Sequence, residues 1–172
     1  CSFETRVAFY KSFGPLFMGI AIVSGLFLIG DIIFTHLGFW GFNDRYLTGI
    51  SLFGLPLGEY LFFLVIPYCG VFIYRVLNYF FPGETFGKGL TNNISNFLVG
   101  LCGAFSIMFY DHWYSVLTFG ILAILIHLHA KVWRSPWLAQ FYRAYLVILV
   151  PFFLVNGILT GTGIEEEIVW YN

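Results

Sequence analysis

Charge is the scarcest feature of this 172-residue chain, with eight Lys or Arg and nine Asp or Glu, 10% of the residues. A soluble domain carries about 25% charged residues. So few charges cannot coat a globule, and a water-soluble fold is excluded. Disorder is excluded too, because disordered chains are rich in charge and poor in aromatics. The net charge of −1 gives no basis for nucleic acid as a partner. Three cysteines make no disulfide framework. Cys69 and Cys102 lie in apolar runs and read as small core residues. The chain has no G-x-G-x-x-G, no P-loop and no nucleophile elbow. It also lacks a His-x-x-x-His pair and a Cys-x-x-Cys. His127 and His129 stand two apart, about 200° round a helix, and cannot chelate one ion. A bis-histidine haem would have to use His36 and His112. No metal and no cofactor is expected.

What the chain has is apolar and aromatic, 59% hydrophobic with 22 Phe, 11 Tyr and 5 Trp. A spanning helix needs about 20 mostly apolar residues. Residues 14–35, 57–77, 96–110, 113–130 and 142–160 meet or approach that need. The fold class expected is all-α, a polytopic transmembrane helix bundle with five spans in this segment. The basic residues Arg6, Lys11, Arg75, Lys88, Lys131, Arg134 and Arg143 fall on one side of such a bundle. The positive-inside rule makes that side cytoplasmic. The location expected is a bacterial inner membrane. Asp31, Asp44, Glu59, Asp111 and Glu165 to Glu167 fall on the other side.

Residues 31–43 read DIIFTHLGFWGFN, and residues 156–172 read NGILTGTGIEEEIVWYN. Asp31 matches Asn156, Thr35 matches Thr160, Trp40 matches Trp170 and Asn43 matches Asn172. Both segments follow odd-numbered spans, so two repeats of the same orientation are expected, at about 14–110 and 113–172, the second truncated. Repeat-built membrane proteins place their site at the repeat interface. The leading Cys1 and the broken second repeat suggest a longer natural chain.

The chemistry-bearing run is GLPLGEYLFFLVIP, residues 54–67. Pro56 suits a helix start. Glu59 then lies in the first turn, where a carboxylate meets unpaired N–H groups. That reading is structural. The functional reading is an acid facing a pocket, since an intramembrane acid is costly without partners. Among Tyr60, Phe62 and Phe63 its neutral form is favoured, which suits a proton donor. Asp31 lies at the matching depth on the first span. Asn43, Asp111 and His112 lie on the same side, as polar partners or as solvated turn residues. Asp44 and Arg45 read as solvated, and so do Glu165 to Glu167, of which one could enter the site. An acid with aromatic walls suits acid-initiated carbocation chemistry on a hydrocarbon, because ring faces stabilise cations.

The run DIIFTHLGFWGFNDRYLTGISLFGLPLGEYLFFLVIPY, residues 31–68, resembles the first unit of the membrane lycopene cyclase domain of bacterial heterodimeric and fungal bifunctional carotenoid cyclases. VNGILTGTGIEEEIVWYN, residues 155–172, resembles the opening of the second unit. The resemblance implies non-redox cyclisation of the linear ends of lycopene to β-type rings. A proton adds to the terminal double bond, an internal double bond attacks the cation, and a proton leaves. The resemblance also implies about seven spans in a complete member, and two adjacent carboxylates after the proline. Here the pair is Gly58-Glu59, so only the second acid is present. Glu59 and Asp31 become the expected catalytic residues. Trp40, Asn43, Tyr60 and Phe63 become the expected substrate-binding residues. The expected partners are lycopene and the lipid bilayer, and an oligomer is allowed. A non-catalytic carotenoid- or retinal-binding membrane protein is the rival reading, and a structural subunit of a membrane complex the third.

Overall fold

Long runs of Leu, Ile, Phe and Val leave the backbone one way to satisfy its polar groups in hydrocarbon, the helix. The computed structural model describes residues 2–83, 86–163 and 165–171. It contains α1 (Phe13–His36), α2 (Leu57–Phe80), α3 (Lys88–Met108), α4 (Trp113–His127) and α5 (Leu138–Leu159). Four short strands accompany them, β1 (Trp40–Phe42), β2 (Ser51–Leu52), β3 (Leu55–Pro56) and β4 (Val169–Tyr171). Four helical stretches are long and apolar enough to cross a membrane: Phe9–His36, Leu57–Phe80, Trp113–Val132 and Leu138–Leu159. Their outward faces are apolar, as at Ile22, Leu26, Leu122 and Leu154. A bilayer is the solvent for such faces.

The third expected span differs in detail. α3 begins at Lys88 rather than residue 96. Its first turns carry Lys88, Asn92, Asn93 and Asn96, and α3 is not among the four strongly apolar helices. The turn into α4 is as tight as expected, with the His112 N–H donating to the Phe109 carbonyl at 3.0 Å.

The chain divides into two compact units, Cys1–Phe81 with Ala144–Asn172, and Pro82–Arg143. In the first, α1 and α2 pair along their length. At one end Phe9, only 1% exposed, sits edge-on to Phe13, Tyr68 and Phe72. Further along, the Ser24 hydroxyl donates to the Phe63 carbonyl at 2.7 Å. Pro67 explains that bond. It lies four residues after Phe63 inside α2 and has no N–H to offer that carbonyl. Phe27 stacks on the Phe63 ring at 6.2 Å.

In the second unit, α3 and α4 pack as a hairpin, with the Phe105 and Phe119 rings 5.2 Å apart. The buried Ser95 hydroxyl bonds the Tyr142 hydroxyl and the Thr91 carbonyl, both at 2.8 Å. α4 runs into a π-helical turn, Leu128–Val132.

Candidate active site

The site is built on the loop between α1 and α2. α1 ends in a Schellman turn. Gly38 takes φ +74°, and the N–H of Phe39 reaches back to the Phe34 carbonyl at 3.0 Å. That turn sends the chain into β1. The same loop contains a second ordered piece, the β2–β3 hairpin. Its two-residue turn, Phe53-Gly54, has both residues in the left-handed region. Leu55 is completely buried, and Pro56 is the residue before α2. The N–H of Leu57 donates to the Ile50 carbonyl at 3.0 Å. Glu59 is thereby held in the first turn of α2.

Asp31 and Glu59 come together. Phe27 of α1 stacks on Phe63 of α2. One helical turn onward from Phe27 lies Asp31, and one turn back from Phe63 lies Glu59. The helices run in opposite directions, so both carboxyls lie at one level of the α1–α2 pair. Both are partly buried. Thr35, one turn beyond Asp31, buries a hydroxyl that takes no hydrogen bond among the described residues.

The other expected site residues lie on the same two helices and the loop between them, each with its own partners. Phe63 lies one turn along α2 from Glu59. Trp40 is buried, with its ring 5.5 Å from Phe34. The Tyr60 hydroxyl donates to the Leu52 carbonyl at 2.8 Å, tying α2 to the hairpin. Asn43 is engaged with the acidic loop. Its amide donates to Glu166 Oε2 at 3.0 Å and to the Glu167 carbonyl at 3.4 Å. Its carbonyl accepts from the N–H of Arg45 at 3.1 Å. Arg45 also pairs with Glu166 at 3.6 Å and Glu165 at 3.9 Å. Glu166 is thus the loop acid that binds an expected site residue.

The two segments matched in the sequence meet here. β1 pairs antiparallel with β4, Trp40 opposite Tyr171 and Gly41 opposite Trp170. The matched tryptophans therefore stand on adjacent rungs. The Trp170 indole lies directly on Gly41, where any side chain would overlap it. At the α5 exit the Thr160 hydroxyl bonds the Asn156 carbonyl at 2.9 Å. Cys1 and Asn172, both used in reading the sequence, lie outside the described residues. Among the described residues no group of three metal-ligating side chains gathers.

Sequence reasoning missed Ser24, Phe27 and Leu55. The signal for Ser24 was present: Pro67 inside a span frees a carbonyl that a Ser on a neighbouring helix can satisfy.

A family model described as Lycopene cyclase matches residues 1–77 and 111–172. No curated protein matches the chain, and no solved structure does. The matched residues include both halves of the β1–β4 pair and both carboxyls of the α1–α2 pair. With most of its length matched, this membrane helical chain belongs to the lycopene cyclase family, whose general function is carotenoid cyclisation.

Proposed function

We propose that the chain is a lycopene β-cyclase, or a closely related carotenoid cyclase, working by acid catalysis without net redox change. The observation that carries this reading is that Asp31 and Glu59 stand at one level of the α1–α2 pair, each one turn from the stacked rings of Phe27 and Phe63. The family resemblance leads one to expect two adjacent acids after the proline. Here Gly58 stands at the first place, and Asp31 supplies a second carboxyl from α1.

In this mechanism Glu59 gives its proton to the terminal double bond of the linear end. The resulting cation is attacked by the internal double bond, and the ring closes. A proton then leaves the ring for the carboxylate, which restores the acid. Asp31 balances the positive charge during closure. The faces of Phe63 and Trp40 stabilise the cation and exclude water. Asn43 and Tyr60 hold the surrounding loop in place. The site stands at the end of two matching units of the same orientation, one about 14–110 and one about 113–172. The basic linkers face the cytoplasm, and the membrane is a bacterial inner membrane.

The experiment is cyclisation of lycopene by the full-length protein in liposomes made in D2O. The reading predicts cyclic product carrying one deuterium per ring, because the added proton stays and a different one leaves. Cyclic product without deuterium would contradict the acid mechanism. Lycopene retained by the protein but never cyclised would favour the non-catalytic binding protein.

A further inference from the structure

The second compact unit holds a cavity of about 730 Å³. Lys88, Lys131 and Arg134 line it, with Asn92, His129 and Gln140 between them. No Asp or Glu is among its described lining residues. Three cations gathered in one cavity repel one another, and an anion placed between them relieves that repulsion.

Local structure holds the cations in place. The π-helical turn Leu128–Val132 carries Lys131 out of the α4 helix. Arg134 follows at φ +48°, a left-handed backbone that a long side chain rarely adopts. His129 Nδ1 bonds Ser135 Oγ at 2.8 Å, and its ring lies against Trp133 at 4.6 Å and Trp137 at 4.8 Å. From α3, Lys88 stands in the first turn of a helix whose N-cap, Gly87, makes no side-chain cap bond, and first-turn N–H groups favour an anion. Trp133 and Trp137 are exposed beside the cavity at the end of the α4 span. Exposed Trp beside Lys and Arg at a span end marks the depth of the lipid headgroups.

We propose that this cavity binds the phosphate headgroup of an anionic phospholipid, apart from the carboxyl pair in the other unit. Free phosphate shares the chemistry, but the exposed tryptophans and the span-end position favour the lipid. Basic pockets between spanning helices suit such headgroups.

The test is native mass spectrometry of the full-length protein in detergent, offered phosphatidylglycerol or phosphatidylcholine. Retention of phosphatidylglycerol should exceed that of phosphatidylcholine. The double variant Lys131→Gln/Arg134→Gln should lose that preference by roughly 30-fold, at about 5-fold per cation near the surface. Arg6→Gln/Lys11→Gln, removing two cations elsewhere, should keep it. Circular dichroism checks that each variant retains its helices, and Lys88→Gln gives an independent reading should the double variant misfold. Equal retention of the two lipids, or equal loss in both double variants, would overturn the proposal. So would displacement of phosphatidylglycerol by millimolar inorganic phosphate, which would assign the cavity to the free ion.

Discussion

At the scale of single residues, Glu59 depends on neighbours that do no chemistry. Its backbone is set by Leu55, Pro56 and the bond from Leu57 to Ile50. The turn below it is set by Ser24, whose hydroxyl takes up the carbonyl that Pro67 leaves free. Removing that hydroxyl orphans the Phe63 carbonyl in an apolar setting. Ser24→Ala should therefore destabilise the protein by about 1 kcal/mol, while Ser24→Thr keeps the donor and most of the stability. Thermal unfolding in detergent compares the two, and equal melting of both variants with wild type would deny the bond a role. Asp31 and Glu59 were legible in the sequence because both are acids near the ends of consecutive apolar runs, and a short linker brings such ends together. For Ser24 the sequence carries half the signal, the carbonyl that Pro67 frees, while the choice of a hydroxyl 39 residues away is made by packing.

At the scale of elements, the loops carry more order than their glycines suggest. Gly41 is where β1 meets the Trp170 indole from β4, and a methyl there would overlap the ring. Gly41→Ala should cost about 1–3 kcal/mol by overpacking. Adding Trp170→Ala should return part of that loss, and a double-mutant cycle of melting reads the coupling. Simple additivity would show that the indole is not what Gly41 makes room for. In the β2–β3 turn, exposed Phe53 takes φ +50°. Asn tolerates that region far better, so Phe53→Asn should raise stability by about 1 kcal/mol. An unchanged or lowered melting temperature would contradict this account of the turn. The strands escaped sequence reasoning because they are two or three residues long, too short for any alternation to show. The partners in β1–β4 were nevertheless visible as matched segments, each carrying a Trp shortly before its final Asn. The start of α3 was misplaced because its first turns are polar, and hydropathy alone reads polar residues as linker. Buried Ser95, bonded to Tyr142, shows why such residues belong to the helix.

For the whole molecule, the all-α membrane character follows from the shortage of charge and the apolar faces of four long helices. The proposed sidedness rests on the clustering of basic residues in alternate linkers. In a cysteine-free background, a membrane-impermeant maleimide applied to spheroplasts should label Asp44→Cys and spare Lys131→Cys until the membrane is opened. The reverse pattern would invert the orientation. The division of labour is also a property of the whole chain. One unit carries two carboxyls near stacked aromatic rings, and the other carries a cavity lined by Lys88, Lys131 and Arg134. The family match includes both carboxyls, so cyclisation is the function against which they are tested. The most direct measurement is the pigment made by lycopene-accumulating bacteria that express the full-length protein, or its Glu59→Gln variant, at equal membrane levels. Wild type should convert lycopene to cyclic carotenoids. Glu59→Gln, which keeps the shape and removes the acid, should lower that conversion at least about 100-fold, as loss of a positioned general acid does. Undiminished cyclic pigment in the variant would contradict the central role given to Glu59.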